Sequence, residues 1–240
     1  MTGPAAPSLA EILAPVKHVL LDFDGPVCSV FAGLPAPEVA HRLRVELAVE
    51  GQPTPLGWET ETDPLALLRR IADERPHLTA EADTILATLE TEATRSARPT
   101  PYASSLLQAC VNSGRSVQIV SNNASQAIQQ YLNAHQLSGY VTAVFGRHPN
   151  APTSMKPSPQ LLHDAMTAVV AQPAECIFIG DAVRDVQAGD AAGVRTIGYA
   201  NKPGKREKLS AVSAVVIVES MGEIVKVIKN GGSIGPASVQ

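Results

Sequence analysis

Four short stretches of this 240-residue chain carry the side chains that could do chemistry. In "VKHVLLDFDGPVCSV" (16–30) an apolar run ends in Asp22 and Asp24, and a glycine follows at once. In "SVQIVSNN" a second run ends in Ser121, Asn122 and Asn123. "SMKPSPQLL" sets Lys156 just before a proline-started helical pattern, and "CIFIGDAVRD" ends a further run with Asp181 and, one helical turn later, Asp185. A carboxylate at the mouth of a buried strand is costly unless something pairs with it. Taken singly, each stretch has an ordinary reading: an aspartate as a helix cap, Ser-Asn as turn chemistry, a lysine as a surface residue. Taken together they amount to three or four carboxylates, a hydroxyl and an ammonium, provided one fold gathers them.

The elements that would have to gather them are legible. Short apolar runs suited to buried strands recur at 18–23, 116–121, 143–146, 176–180, 195–200 and 214–218. Helical patterns separate most of them: Leu106, Leu107, Cys110 and Val111 within 104–113, Ala127, Ile128, Tyr131 and Leu132 within 124–137, Leu161, Leu162, Ala165 and Val169 within 158–170. This alternation predicts an α/β fold of Rossmann-like type, a parallel sheet with helices on both faces. Ligands of open α/β sheets bind at the carboxyl ends of the strands, which is where Asp22, Asp24, Ser121, Asn122 and Asp181 fall.

Residues 31–97 read differently, with helical spacing and no convincing strand. Val39, Leu43 and Leu47 share a face, Asp63 suits an N-cap with Pro64 at the first helical position, and a third helix is expected over 79–93. The expected division is an α/β core of 15–30 and 98–229, a small inserted helical block of 31–97, and a disordered tail of 230–240.

Composition sets bounds on function. Hydrophobic residues make up 45% and charged residues 18%, ordinary for a soluble globular protein. A net charge of −4 gives no general attraction to nucleic acid or an anionic membrane, and no apolar run approaches spanning length. The N-terminus lacks the pattern of a secretory signal, and the three scattered cysteines suggest neither a disulfide framework nor a zinc site. Cytoplasmic location is the expectation. Cys28, close to the carboxylate pair, is read as packing. The one basic cluster, "NKPGKREK" (201–208), is read as a solvated loop, with a phosphate-facing role as the alternative.

In their order, the four stretches resemble the motifs of the haloacid dehalogenase-like superfamily, in its phosphatase branch with a helical cap and a layout like phosphoglycolate phosphatase. They stand here as "DFDGPV", "VSNN", "MKPSP" and "GDAVRDVQAGDAAGV", and the resemblance spans roughly residues 16 to 225. One departure is Pro26, which removes a backbone donor where Thr or Val is usual. The resemblance implies a Mg2+ ion bound by carboxylate oxygens of Asp22 and Asp181 and the carbonyl of Asp24, with Asp185 behind them. It implies Asp22 as the nucleophile, forming an aspartyl-phosphate, and Asp24 as general acid and then base. Ser121 and Lys156 would bind phosphoryl oxygens, while Asn122 and Asn123 either add donors or shape the turn.

The substrate implied is a small-molecule phosphate ester, with no nucleic-acid or membrane partner and the oligomeric state open. The insert matches the family's cap, and within 53–64 Trp58 is either a specificity residue or a packing residue between helices. Arg42, Arg44 and His77 are further candidates with a solvated alternative. A sugar-phosphate phosphomutase is the enzyme alternative. A dehalogenase leaves Asp24 without work, and a non-catalytic phospho-acceptor protein fits less well because its acceptor follows a later strand.

Overall fold

Strands buried on both faces read as near-continuous apolar runs, and the six runs form a six-stranded parallel sheet in the order β5-β4-β1-β6-β7-β8. The computed structural model describes residues 7–48, 55 and 57–231. In chain order the elements are α1 (Leu9–Leu13), β1 (His18–Leu21), β2 (Cys28–Ser29), α2 (Ala36–Glu46), α3 (Pro64–Glu74), α4 (Thr79–Thr94), β3 (Arg98–Pro99), α5 (Ala103–Asn112), β4 (Ser116–Val120), α6 (Ser125–Ala134), β5 (Ala143–Phe145), α7 (Gln160–Ala168), β6 (Cys176–Gly180), α8 (Val183–Ala192), β7 (Arg195–Tyr199), α9 (Lys205–Ser210), β8 (Val216–Val218) and α10 (Met221–Asn230). Among the described residues no helix is long and apolar enough to cross a membrane.

The two faces of the sheet are filled by alternate residues of the same strands. Val19, Leu21, Ile177 and Ile179 point into a core built with α1, α5, α6 and α10. Leu20, Cys176 and Phe178 point the other way, against Leu161, Leu162 and Ala165 of α7 and Ala188 of α8. The α/β expectation holds, with strand starts where the runs begin at His18, Ser116, Ala143, Cys176 and Arg195.

Helices α2, α3 and α4 carry a third cluster of their own, formed by Val39, Leu43, Leu67, Leu68, Ile71, Leu86 and Leu89 among others. Asp63 caps α3 as its position suggests, accepting from the Leu65 and Ala66 N–H groups, with Pro64 in the first turn. The chain leaves the sheet and returns to it through a two-stranded antiparallel ribbon that pairs Cys28 with Pro99 and Ser29 with Arg98. That ribbon was not read from the sequence, since two-residue strands have no period to detect. Helix α10 continues through Asn230, which corrects a tail beginning at 230; positions 232–240 lie outside the described residues.

Candidate active site

Register places the chemistry. β1 is hydrogen-bonded to β4 on one side and β6 on the other, with Leu21 level with Ile119 and Ile179. The residues just past these strands therefore emerge side by side: Asp22 after β1, Ser121 after β4, Asp181 after β6. Asp22 is held from two directions. Its own N–H donates to Ile179 O (2.9 Å), and its Oδ1 accepts from the Phe23 N–H (2.8 Å).

Lys156 arrives from the loop before α7 and is 1% exposed. Its Nζ lies 2.9 Å from Asp22 Oδ1 and 2.7 Å from Asp185 Oδ1, and it donates to Val120 O at 3.2 Å. Burial works against this ammonium, but Asp185 and Asp22 outweigh it and hold its pKa above the ordinary value. Asn122 fixes the lysine's backbone, accepting from the Lys156 N–H (2.7 Å) and donating to the Lys156 carbonyl (3.1 Å). Both ends of that amide are engaged. Asn122 thus positions Lys156 while lining the same cavity.

Asp185 does two jobs from the first turn of α8. Its Oδ2 accepts from the N–H groups of Asp181 (3.1 Å) and Ala182 (2.9 Å), and its Oδ1 faces Lys156. The N-cap of α8 is Ala182, so "GDAVRD" is not capped by an aspartate at that position; Asp185 acts from N3, accepting from the Ala182 N–H while its other oxygen faces Lys156. Asp22, Asp181 and Asp185 each offer an oxygen, all within 4.8 Å of one another. Hard carboxylate oxygens in this number suit Mg2+ or a similar cation, so the donor set fits the ion that the motifs imply. Burial raises Asp22 to about 7, reinforced by Asp185 and Asp181 against the pull of Lys156. Burial also raises Asp181, opposed by Lys205, which pairs with its Oδ2.

Asp24 stands in the loop after β1, where its Oδ1 accepts from the Val30 N–H (2.9 Å) and burial raises its pKa to about 6. A carboxyl that titrates near neutrality can give and take a proton there. The loop's amide donors are Gly25, Val27 and Cys28, so proline at 26 costs none of them. Gly25 is needed, with φ +112° and a Cβ direction filled by the Asp181 carboxylate. Cys28 is fully buried with its thiol pKa pushed up by burial, in keeping with packing.

These groups line one cavity of about 620 Å³. Asp22, Asp24, Ser121, Asn122, Lys156 and Asp181 all reach it, while Asp185 lies behind Lys156. Trp58 does not reach it. The indole is buried among α2–α4 residues, donates to Glu74 Oε2 (2.8 Å) and lies under the Arg75 guanidinium, which is the packing reading. Arg42 pairs with Glu92, Arg44 donates to the Trp58 and Glu61 carbonyls, and His77 is exposed, so none of the three joins the cavity. Positions 53, 54 and 56 of the 53–64 segment lie outside the described residues.

Sequence reasoning missed the far wall. Asn201, Lys202, Lys205 and Lys208 line the cavity, in the cluster read as a solvated loop. The strand-end rule that found the aspartates would have found Asn201 and Lys202 too, because they lie two and three residues past the end of β7. It also missed Arg147, whose buried guanidinium joins Asp83 and Glu90 of α4 to the loop after β4.

Comparison with known proteins agrees with this geometry. The family described as haloacid dehalogenase-like hydrolase matches residues 64–199. A Saccharomyces cerevisiae protein described as an uncharacterized hydrolase is 26% identical over 222 residues, 90% of this chain and 92% of that protein. A phosphoglycolate phosphatase of Vibrio vulnificus is 25% identical over 128 residues, 53% of this chain and 55% of its own length. Among solved structures, a predicted phosphatase from Clostridium acetobutylicum shares the fold with a TM-score of 0.68 at 18% identity, over 90% of this chain and 99% of that one. The sheet, the strand-end motifs and the matched family agree: this chain belongs to the haloacid dehalogenase-like hydrolases.

Proposed function

We propose that the chain is a phosphatase for a small phosphorylated metabolite, working through an aspartyl-phosphate on Asp22. The observation that carries this reading is the buried ion pair of Lys156 with Asp22, 2.9 Å, at the edge where Asp24, Ser121 and Asp181 also emerge. An ammonium fixed against a carboxylate favours its ionised, nucleophilic form and offsets charge on an incoming phosphoryl group.

In this reading an Asp22 oxygen attacks phosphorus as the bond to the alcohol oxygen breaks. Asp24 gives its proton to that leaving oxygen. It then takes one from a water molecule that attacks the phosphoryl group, releasing phosphate and regenerating Asp22. The Ser121 hydroxyl and Lys156 bind the oxygens that stay on phosphorus. Asp22, the Asp24 carbonyl and Asp181 would hold Mg2+, with Asp185 behind them, and the ion would supply charge neutralisation to the phosphoryl oxygens.

We take residues 31–97 as a cap over this chemistry. Phe31, Pro35, Ala36 and Leu65 give the cavity an apolar wall that limits water. Arg69 of α3 donates to the Lys156 carbonyl (2.9 Å), and Arg184 lies 3.7 Å from Asp63, so the cap touches the groups it covers. The phosphoglycolate phosphatase relatives support the reaction class and leave the alcohol open. The test is hydrolysis of an aryl phosphate with Mg2+, together with mass spectrometry of the quenched enzyme. Asp22→Asn should lower kcat at least about a hundredfold and abolish the phosphorylated species; an active Asp22→Asn chain would overturn the assignment.

A further inference from the structure

The cavity is lopsided in charge. The residues it takes from 31–97 are all apolar, Phe31, Pro35, Ala36 and Leu65, while α8 and the segment after β7 contribute Arg184, Lys202, Lys205 and Lys208. Two of these cations are engaged: Lys205 with Asp181, and Arg184 at 3.7 Å from Asp63. Lys202 and Lys208 make no ion pair among the described residues, although both are exposed and long enough to find one. Their neighbour Arg206, which does not line the cavity, is paired with Glu219 at 2.8 Å. The same short stretch therefore pairs the cation that faces away, and of the three that face in it pairs Lys205 and leaves Lys202 and Lys208 without an ion pair among the described residues.

Their place in the cavity fixes what they would meet. Lys156 and Ser121 sit at the strand edge, where the phosphoryl group belongs. Lys202 follows β7, beyond β6 and on the other side of β1 from β4 and Ser121, and it lines the cavity together with Asp24. Asp24 is the group that faces the leaving oxygen in the phosphatase reading, so Lys202 and Lys208 flank the alcohol portion of the ester. Two unpaired ammoniums attract an anion and gain nothing from a neutral alcohol.

We propose that this cavity selects phosphate monoesters whose alcohol carries a second anionic group, a carboxylate or a phosphate, and that Lys202 and Lys208 select it. The inference rests on the phosphatase reading for which end of the ligand is which. It places selectivity on the β7–α9 segment of the core, and Trp58 has no part in it. Because both lysines are solvent-exposed, the discrimination is modest, on the order of tenfold.

Three-carbon phosphonates test this without turnover, since their C–P bond resists hydrolysis. Propylphosphonate, phosphonopropionate and propylene bisphosphonate differ only in the far end: neutral, carboxylate or second phosphonate. Calorimetry on the full chain with Mg2+ should show one or both anionic-ended compounds binding about tenfold tighter than propylphosphonate. The tighter of the two names the anion. In Lys202→Ala/Lys208→Ala that ratio should collapse toward one, and Arg206→Ala should keep it. Equal affinity for all three compounds in the parent, or an unchanged ratio in the double variant, overturns the proposal. A preserved ratio in a chain that hydrolyses no ester would instead sink the phosphatase reading and leave the anion site standing.

Discussion

Replacing Arg147 by methionine should cost far more than its place in a loop after β5 suggests. The guanidinium is 1% exposed and spans two elements. Nε lies 2.6 Å from Asp83 Oδ1, and Nη1 lies 3.1 Å from Glu90 Oε1 and 2.9 Å from the Asn122 carbonyl. Glu90 is fully buried and also accepts from Asn123 Nδ2 (3.0 Å) and the Ala124 N–H (2.9 Å). Burial disfavours the charged arginine, yet Glu90 and Asp83 outweigh it and raise its pKa. Methionine keeps an unbranched apolar stem and removes the charge, so Glu90 is left buried with two neutral donors and no cation.

Removing one partner of a buried pair costs about 3–5 kcal/mol. For a chain of this size each kcal/mol moves Tm by about 2–4 °C, so a drop of roughly 6–20 °C is expected in a melting curve. Adding Glu90→Gln should recover part of the loss, because the amide removes the stranded charge while keeping similar volume. A drop equivalent to less than about 1 kcal/mol would show that the network behaves as a surface pair. A double variant worse than either single by simple addition would refute the reasoning from the unpaired carboxylate.

Two further outcomes follow from the geometry. Trp58→Ala removes a 4%-exposed indole from the α2–α4 cluster, so it should lower stability by about 3–5 kcal/mol and depress all esters together; a reordered ranking of kcat/KM values at unchanged Tm would contradict this. In chelator, Asp22 at about 7 and Asp24 at about 6 exceed the free value of 3.8. The folded chain then holds more protons than the unfolded one, and this contribution, complete below the free value, is lost as pH rises through about 6 and 7. Metal-free melting curves should therefore fall more steeply with pH in this window for the parent than for Asp22→Asn, and Mg2+ should offset the fall; parallel profiles would refute it.

The fold was legible because its strands lie at the centre of two packed faces. Such a place favours a near-continuous apolar run, and His18–Leu21 and Cys176–Gly180 announce themselves. Helix α3 was legible because Asp63 and Pro64 fix its start locally. Helix α1 was missed although Ser8 and Glu11 form a capping box, since five residues give too little periodicity to notice. Helix α10 has the same signature at Ser220 and Glu223 and could have been found by it.

The candidate site divides along a similar line. Asp22, Ser121 and Asp181 could be brought together from sequence because each ends a strand, and strand register in a parallel sheet carries strand ends to one edge. Side chains whose role depends on a partner far along the chain could not. Asn122 looks like a turn residue or a phosphate donor, and nothing local shows that its amide holds the backbone of Lys156, 34 residues later. Glu90 looks like a solvated position on α4 until Arg147, 57 residues on, reaches it. Lys202 and Lys208 look like a hydrophilic loop until β7 sets them on the cavity wall. In each case local composition fixes the side chain's chemistry and says nothing of its partner. A charge is read correctly from sequence only where backbone regularity dictates its neighbours. Lys156 met that condition through the motif order alone, and its three partners, Asp22, Asp185 and the Val120 carbonyl, all lie at strand ends or one helical turn beyond them.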